Sequence, residues 1–308
     1  MKLYHFKTTL AKISFNYFSR IILQKVIQKL KDFNELVMFE HSIFSLPFIF
    51  IAMVVSADGW FGYWLLVMGA LAAVSARNFA MGVNRYADAD IDAKNPRTKD
   101  RPNADGRLDA FSILAFIVVN AIIFVFVAYM INSLAFYMSV PILVVLGSYS
   151  YFKRFSHLAH VVLGISLGLA PIAGVVAVQA SIPAWSVMLS LGVIFWVAGF
   201  DLLYSLQDID FDKQNNLYSI PSQFGAEATL FISTIFHSLT IIFWALFVWV
   251  AGLGIFAFLA VIASMIMLTY EHYLVRKDFT QIDRAFFTVN GYLGFLFFIL
   301  IIIDKVVA

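Results

Sequence analysis

Apolar runs of about 20 residues follow one another along almost the whole chain, and such a run is long enough to cross a bilayer as a helix. The chain has 308 residues, of which 62% are hydrophobic and 13% are charged. Within lipid, only helices and closed barrels satisfy all of their backbone polar groups. We therefore predict an all-α, polytopic membrane protein with two four-helix halves plus one further helix. The nine predicted transmembrane helices cover residues 36–56, 61–91, 110–132, 134–152, 158–179, 185–209, 228–250, 252–273 and 284–304.

The first 33 residues differ from the rest because they are basic and amphipathic. They carry seven Lys or Arg residues and no acid before Asp32, and Ile22, Val26 and Leu30 recur every four residues. This pattern predicts a helix on an anionic membrane surface. The chain is thus divided into an interfacial segment, 1–33, and a transmembrane domain, 34–308. A signal peptide fits less well because no uninterrupted apolar core follows the basic start, and a transit peptide would be richer in Arg than in Lys.

Basic residues occupy alternate loops between the predicted helices. Cytoplasmic loops are enriched in Lys and Arg, so we predict a cytoplasmic N-terminus and an external C-terminus in the inner membrane of a bacterium. The intervening loops contain no Lys or Arg apart from Lys305 near the end of the chain. The basic segments are 1–31, 94–107, 153–154, 213 and 276–277. Their short lengths between apolar runs argue against nucleic-acid binding, and no obligate protein partner is indicated.

Two polar clusters end two of the apolar runs and precede the longest polar loops. In the first, Asn84, Asp88 and Asp92 are four residues apart. On a helix this spacing places the three side chains along one face. Asp90 falls off that face and is expected to be solvated.

The second cluster has nearly the same form. Asp201, Tyr204, Asp208 and Asp212 are separated by three, four and four residues, which again makes one helical face. Acidic stripes at the ends of membrane helices are costly, so they require a partner or a metal. Both clusters open to the same side of the membrane in the predicted topology.

Carboxylate and amide oxygens are the ligands that Mg²⁺ prefers, and it shares its other positions with water and substrate phosphates. The chain has no Cys, and neither cluster contains His, which argues against zinc or copper. Basic residues near the stripes are suited to phosphate oxygens: Arg77, Arg85, Lys99, Arg101, Lys153 and Arg154. Acids, Mg²⁺ and bases together suit a diphosphate leaving group. The aromatic residues, which include 33 Phe, have faces that can stabilise a carbocation.

These clusters carry a resemblance to a known family. The first is similar to the N-x-x-x-D-x-x-x-D motif, and the second to the D-x-x-Y-x-x-x-D-x-x-x-D motif, of the UbiA superfamily of intramembrane prenyltransferases. The Arg-Thr-Lys-Asp-Arg-Pro segment at 97–102 also matches, as does Tyr149 followed by Lys153 and Arg154. The resemblance extends over essentially everything after residue 34.

The resemblance implies Mg²⁺-dependent transfer of a prenyl chain from its diphosphate to an acceptor, commonly an aromatic ring. It implies catalytic roles for Asp88, Asp208, Tyr204 and Arg77. The implied metal ligands are Asn84, Asp88, Asp92, Asp208 and Asp212. Lys153, Arg154, Arg85, Asp201 and Tyr149 are implied to support the diphosphate and its metal. Arg77, deeper on the stripe of Asn84, is the candidate to meet the acceptor.

Two segments depart from many 4-hydroxybenzoate enzymes of the family. Phe39 to Phe48 replaces an Arg-containing segment, and 217–225 follows the second motif. Both resemble the branch linked to menaquinone synthesis through futalosine. Glu40 and His41 add hydrogen-bonding groups, so we predict a carboxylated aromatic acceptor, with an aminofutalosine-type benzoate preferred over plain 4-hydroxybenzoate.

Other functions fit less well. Alternative acceptors within the family are dihydroxynaphthoate, haem or a lipid. A cation-coupled transporter would usually place charges near mid-membrane, within reach of both sides, whereas here the acids gather at one side. The single-motif spacing of a CDP-alcohol phosphotransferase is absent. His160 and His237 are expected to be buried or interfacial polar groups.

Overall fold

The computed structural model describes residues 23–38 and 46–307, and all regular secondary structure in these ranges is helical. A helix over 23–37 is α1. The others are α2 (Leu46–Ser56), α3 (Tyr63–Ala87), α4 (Ala89–Asp92), α5 (Ala110–Ile131), α6 (Ser133–Phe152), α7 (Ala159–Gln179), α8 (Ala184–Ser205), α9 (Ile209–Gln214), α10 (Ile220–Val250), α11 (Ile255–Lys277) and α12 (Asn290–Val307). A 3-10 turn, Leu206–Asp208, joins α8 to α9, and a π-helical turn, Arg284–Val289, precedes α12.

The described residues contain eight helices, or continuous helical runs, that are long and apolar enough to cross a membrane. Two of them are composite: Ala184–Gln214 contains α8 and α9, and Phe279–Val307 contains α12. The apolar helix α2 has only 11 residues, or about 16 Å at 1.5 Å per residue, roughly half of the hydrocarbon core. The predicted all-α, polytopic membrane fold is confirmed, with one full-length span fewer among the described residues than the nine predicted.

The difference lies in the first predicted span, 36–56. Helix α1 ends at residue 37, and Met38 has a φ of 46°, which is outside the right-handed helical region. The guanidinium of Arg77 donates to the carbonyl of Met38 at 3.0 Å, and that of Arg85 donates to the carbonyl of Leu36 at 3.2 Å. Cations are favourable at a helix C-terminus, where carbonyls lack helical partners. The apolar run is therefore divided, with α2 beginning at Leu46.

Residues 23–33 of the predicted interfacial segment belong to α1, which continues to residue 37 without a break. Leu23, Val26 and Leu30 are exposed along it. Its other end is anchored, because Phe33 stacks on Phe116 with ring centroids 4.7 Å apart. The membrane-surface role and the division of the chain at residue 33 stay predictions. Glu40 and His41 lie outside the described residues.

The helices that carry the two acidic motifs face each other from different parts of the bundle. Helix α3 packs chiefly on α5 and α6, whereas α8 packs chiefly on α7 and α10. The side of α8 away from the motif builds the main core, in which Trp196 lies beside Phe48, Trp244 and Phe200. A buried aromatic core of this kind makes α8 a rigid support for its motif.

Close packing of α7 depends on two glycines. A Cβ on Gly164 would lie 2.4 Å from the carbonyl oxygen of Ile194 on α8, and one on Gly174 would lie 2.5 Å from that of Ile49 on α2. Any larger residue at either position would push the helices apart, as at other small-residue interfaces between membrane helices. The first turn of α7 is thereby held against the polar end of α8.

The two ends of the bundle differ in charge. Lys305 near the end of α12 pairs with Asp58, just after α2, at 2.7 Å. Asp58 lies before α3 and Asp88 lies after it, so the Lys305–Asp58 pair is at the end of the bundle opposite the first motif. Alternation of the helices places 94–107, 153–154, 213 and 276–277 at the motif face. The described Lys and Arg residues in loops therefore collect there.

Reporter fusions test this arrangement. We expect a reporter after residue 105 and one after Ala180 to mark opposite sides of the membrane, because α5, α6 and α7 lie between the two positions and cross three times. Protease or fluorescence accessibility in intact cells measures the side. A common side for both reporters would contradict the arrangement of these helices.

Candidate active site

The first acidic cluster lies where α3 ends and α4 begins. Asn84 is in the last turn of α3, Asp88 lies at the break with φ of −98° and ψ of 4°, and Asp92 ends α4. The N–H of Asp88 donates to the carbonyl of Asn84 at 2.9 Å, and that of Asp92 donates to the carbonyl of Asp88 at 2.7 Å. Because these bonds keep the helical spacing across the break, the three side chains line one cavity.

Asp88 is held between a lysine and an amide. The Nζ of Lys153 donates to its Oδ2 at 2.6 Å, and the Nδ2 of Asn84 donates to the same oxygen at 2.9 Å. The other oxygen, Oδ1, is buried and has no hydrogen-bond partner among residues 23–38 and 46–307. Burial raises the pKa of Asp88, and the charge of Lys153 opposes that rise. A buried oxygen without a donor costs free energy unless a ligand or water satisfies it.

Asp92 is bound by the loop that follows it. Its two oxygens accept from the Nη1 of Arg101 and from the Nδ2 of Asn103, each at 2.9 Å. The hydroxyl of Thr98 donates to the Asp92 carbonyl at 3.0 Å. To bind a metal, Asp92 would have to exchange one of these side-chain partners.

Asp208 of the second cluster is bound by the same loop. The Nη2 and Nε of Arg97 donate to its two oxygens at 2.5 and 3.2 Å, a two-pronged contact that is strong for this pair of groups. The Nη1 of Arg97 also donates to the hydroxyl of Tyr204 at 3.0 Å. Asn95 donates to Asp208 at 3.3 Å. The 93–109 loop therefore joins the two motifs across the mouth of the cavity.

The remaining acids of the second cluster contact a hydroxyl group and an imidazole ring. Asp212 accepts from the hydroxyl of Ser219 at 2.7 Å. Asp201 is 2.7 Å from the Nδ1 of His160, which belongs to the first turn of α7. All four side chains line the cavity.

Arg77 and Arg85 enter the cavity wall from α3 while binding the end of α1. In contrast to Arg97 and Arg101, neither forms an ion pair with an acid among the described residues. The Nε of Arg77 is buried without a hydrogen-bond partner in that part of the chain. Arg77 is therefore a cation whose acidic counterpart is absent from the described protein.

Arg154 lies beside the site, and Tyr149 lies in its wall. Arg154 donates to Asp90 at 2.6 Å and also to the carbonyl of Ala87. Its hydrogen bond holds the pKa of Asp90 below the usual range. Arg154 does not line the cavity, whereas Tyr149 and Lys153 do.

The cavity has a volume of about 460 Å³ and extends from the two motifs to Gly69, near the far end of α3. From Gly69 to Ala87 the helix rises about 27 Å, close to the thickness of the hydrocarbon core. Beneath the motifs its wall is apolar and rich in small residues. These include Ala72, Ala73, Ala76 and Ala80 of α3, Ala128 of α5, and Ala170, Ala173, Gly174 and Ala177 of α7.

Comparison with known proteins identifies the family. The model of the UbiA prenyltransferase family matches residues 45–301, most of the chain. The chain belongs to this family. It is therefore a membrane enzyme that transfers prenyl groups, and the predicted membership of the family is confirmed.

Similar enzymes and structures agree with this family. The 4-hydroxybenzoate octaprenyltransferase of Burkholderia ambifaria (strain MC40-6) is 30% identical over 251 residues, which are 80% of this chain and 85% of that protein. The enzyme of the same name from Janthinobacterium sp. (strain Marseille) is 26% identical over 243 residues, covering 79% and 85%.

Two solved structures share the fold. The apo structure of a UbiA homolog from Aeropyrum pernix K1 has a TM-score of 0.79 and 30% identity, and the match covers 86% of this chain and 98% of that one. A UbiA homolog from Archaeoglobus fulgidus bound to DMAPP and Mg²⁺ has a TM-score of 0.73 over 90% of this chain and 100% of that one. At 18% identity, the second likeness concerns the fold alone.

The residues of the UbiA motifs are suited to a divalent metal by type. They supply carboxylate and amide oxygens, and the free Oδ1 of Asp88 is a ready acceptor of a cation. No group of three or more acids or histidines is gathered tightly enough for one ion among the described residues. Lys153, Arg97 and Arg101 hold the acids in their present positions.

Four residues for which the sequence predicted no individual role in the site contribute to it. Asn95, Arg97 and Asn103 bind motif acids from the loop, and His160 binds Asp201. Arg97 and Arg101 are four residues apart in the loop after the first motif, and this spacing could have predicted that the loop pairs with the motif acids. Nothing near His160 in the sequence indicated its partner, 41 residues away.

Substitution of the acids separates buried from solvated positions. We expect Asp88→Asn and Asp208→Asn each to abolish prenyl transfer, because each removes a charge from a site for metal and diphosphate. Asp90→Asn and Asp210→Asn should retain most activity. The Asp90 side chain is 61% exposed against 3% for Asp88, and an exposed ion pair contributes about 1 kcal/mol or less.

The measurement is turnover in membranes that contain equal amounts of each variant. Calorimetric titration with Mg²⁺ and inorganic diphosphate should show weakened binding only for the Asp88 and Asp208 variants. Equal losses of turnover at all four positions would mean that an acid's place on the helical face of its motif does not determine whether catalysis needs it.

Proposed function

We propose that this enzyme moves a polyprenyl chain from its diphosphate to a carboxylated aromatic acceptor, with Mg²⁺ as cofactor. The observation that supports the proposal is the single cavity that joins both acidic motifs to an apolar passage about as long as the membrane core is thick. A polar head and a long apolar tail on one substrate match the two parts of this cavity.

Asn84, Asp88, Asp92, Asp208 and Asp212 are the residues proposed to hold the metal. When bound, Mg²⁺ neutralises charge on the leaving diphosphate as its bond to carbon breaks. Lys153 is placed to bind diphosphate oxygens, because its ammonium already lies in the cavity wall at Asp88. Arg97 and Arg101 line the same mouth and carry the planar donors that suit phosphate. Arg85, Tyr149 and Arg154 are proposed to support this cluster, with Arg154 acting from outside the cavity wall.

Aromatic rings lie directly beneath the proposed diphosphate site. The ring of Tyr204 is 4.2 Å from that of Phe286 between centroids, and both residues line the cavity. Loss of diphosphate from an allylic carbon leaves a carbocation, which the face of an aromatic ring attracts. Tyr204, held by Arg97 through its hydroxyl, is proposed to stand beside the reacting carbon.

Arg77 is the proposed partner of the acceptor carboxylate. It is seven residues deeper on α3 than Asn84, about 10 Å along the axis, and it lines the cavity. A charge enclosed in a membrane bundle is costly without a counterion. Since no described acid pairs with Arg77, an anionic substrate would complete its surroundings. The names of the relatives from Burkholderia and Janthinobacterium support 4-hydroxybenzoate as one such acceptor.

The enzyme is proposed to act at the inner membrane of a bacterium with its motifs facing the cytoplasm, as part of quinone biosynthesis. The collection of basic residues at the motif face supports that orientation, because cytoplasmic loops carry the excess of Lys and Arg. Diphosphate and acceptor would then both enter from the cytoplasm.

Product analysis tests the function. Membranes with this protein, Mg²⁺ and labelled octaprenyl diphosphate are incubated with 4-hydroxybenzoate, an aminofutalosine-type benzoate or dihydroxynaphthoate. We expect mass spectrometry to detect prenylated benzoate, with the larger benzoate preferred. Arg77→Ala should raise the acceptor KM at least about tenfold, since buried charge pairs are worth more than about 1.4 kcal/mol, while the KM for the prenyl diphosphate changes little.

Three results would contradict the acceptor assignment. Efficient use of 4-hydroxybenzoate with no use of the larger benzoate would refute the preference. An Arg77→Ala enzyme with unaltered acceptor kinetics would refute the role of Arg77. Transfer to none of the aromatic acceptors would refute the proposed acceptor class.

The length of the apolar passage is tested separately. Ala73→Phe should shift the preferred donor from octaprenyl to shorter diphosphates, because the added ring would occupy the passage. Leu71→Phe is the control, since Leu71 lies two residues away on α3 but faces outward. The kcat/KM values for donors of several lengths give the measure. Equal effects of the two substitutions would mean that the chain does not lie along α3.

A further inference from the structure

His160 and Asp201 form an acid–imidazole pair in the wall of the cavity. The Nδ1 of His160 lies 2.7 Å from the Oδ2 of Asp201. The other motif acids among the described residues bind the side chain of a lysine or an arginine, a hydroxyl group or an amide. Here the carboxylate is joined to an imidazole, which can both hold and exchange a proton.

The contact fixes the orientation of the carboxylate. With its proton on Nδ1, His160 donates a hydrogen bond to the Oδ2 of Asp201. The Nε2 of His160 is buried and has no hydrogen-bond partner in the described ranges. Within those ranges the side chain of His160 therefore serves to hold one oxygen of Asp201 in place.

One oxygen of Asp201 remains open. Among the described residues, the side chain of Asp201 forms its hydrogen bond with His160. That contact is made to Oδ2 and, within those residues, leaves Oδ1 without one. The Asp201 side chain is 22% exposed and lines the cavity, whereas that of His160 is 7% exposed behind it. The Oδ1 of Asp201 is thus available to a bound molecule, with the histidine as its support.

The packing of α7 on α8 maintains this pair. Gly164 follows His160 by one turn, and its missing side chain lets α7 reach the carbonyl of Ile194 and the methyl group of Ala198. Ala198 lies one turn before Asp201. The two helices are therefore closest next to the pair, which limits the freedom of both side chains.

The pair and Arg77 line the same cavity. Arg77 lies seven residues before Asn84 on α3, and Asp201 lies seven residues before Asp208. Both are therefore on the side of those motif residues that is farther along the helix from the polar loops. A carboxylated ring bound by Arg77 would lie in the cavity that Asp201 lines.

We propose that Asp201 is the proton acceptor of prenyl transfer and that His160 is its positioning residue, a role that depends on the proposed aromatic acceptor. The carbon–oxygen bond of the prenyl diphosphate breaks, and its electron pair leaves with the diphosphate. A pair of ring electrons forms the new carbon–carbon bond. The ring then loses the proton of the substituted carbon to the Oδ1 of Asp201, and the electrons of that carbon–hydrogen bond restore its aromaticity.

A kinetic isotope effect distinguishes proton removal from the other steps. The full chain is incubated with Mg²⁺, octaprenyl diphosphate and 4-hydroxybenzoate that carries hydrogen or deuterium on its ring carbons. In His160→Leu and in Asp201→Asn we expect kcat to fall by about 10²-fold or more, as for loss of a general base. The deuterium effect on kcat should rise above that of the unaltered enzyme, because proton removal has become slow.

The conservative variant and a distant histidine serve as controls. His160→Gln retains an N–H donor for Asp201, so its isotope effect should return toward the original value. His237→Gln changes a histidine that is equally buried, but that binds His272 and the carbonyl of Trp196. Its isotope effect should be unchanged. Calorimetric binding of Mg²⁺ with inorganic diphosphate should be the same for His160→Leu as for the unaltered protein.

Several outcomes would overturn the assignment. An unaltered isotope effect in both His160→Leu and Asp201→Asn would exclude the pair from proton removal. Loss of Mg²⁺ and diphosphate binding in either variant would place the pair in the metal cluster instead. A Gln variant no better than Leu would remove the positioning role of His160. If the unaltered enzyme prenylates no aromatic acceptor, the proposed function itself fails, and the proton-acceptor role fails with it.

Discussion

Enclosed carboxylates need compensating charge, and the structure of the site depends on how they obtain it. Asp88 pairs with Lys153, Asp92 with Arg101, and Asp208 with Arg97. Asp88 and Asp92 are buried and Asp208 is partly exposed, so loss of a cation would leave a charge that solvent compensates only in part. Because two of the cations belong to the loop after α4, pairing folds that loop across both motifs. The ion pairs that offset the charge of the acids therefore also place the loop, with the guanidinium groups of Arg97 and Arg101, at the mouth of the cavity.

The rest of the bundle separates a rigid polar end from an adaptable apolar passage. Aromatic packing around Trp196 and close contact at Gly164 fix α8 against α7, so the second motif stands on a support with little freedom. The opposite wall, on α3, is lined by alanines that leave space between helices. Precise placement is needed where a bond breaks, whereas a polyprenyl tail needs room and a lack of polar groups. The distribution of large and small side chains satisfies both needs in one fold.

The sequence allowed prediction of features that depend on local periodicity. The membrane spans followed from apolar length, and the side chains of Asn84, Asp88 and Asp92 line one cavity because spacing alone determines a helical face. The break of the first span after residue 37 was not predicted, since it is stabilised by Arg77 and Arg85, about 40 residues or more away. The contact of His160 with Asp201 was missed for the same reason. Pairings between distant side chains depend on tertiary packing, which a single sequence does not display.

Within the described residues, the cations at the mouth of the cavity are paired with acids, whereas the deeper Arg77 is not, and this difference affects which substrates the cavity can bind. At the mouth, Lys153, Arg97 and Arg101 each pair with an acid, so a diphosphate would have to exchange partners with these pairs. Deeper, Arg77 binds the carbonyls of Val37 and Met38 and has no acidic partner among the described residues. Carbonyl dipoles stabilise a cation less than a full negative charge does in a medium of low dielectric constant. A substrate carboxylate would therefore gain more from Arg77 than from the already paired cations above it. An anionic ring would therefore be attracted past the mouth toward Arg77, while an uncharged acceptor would lack that attraction.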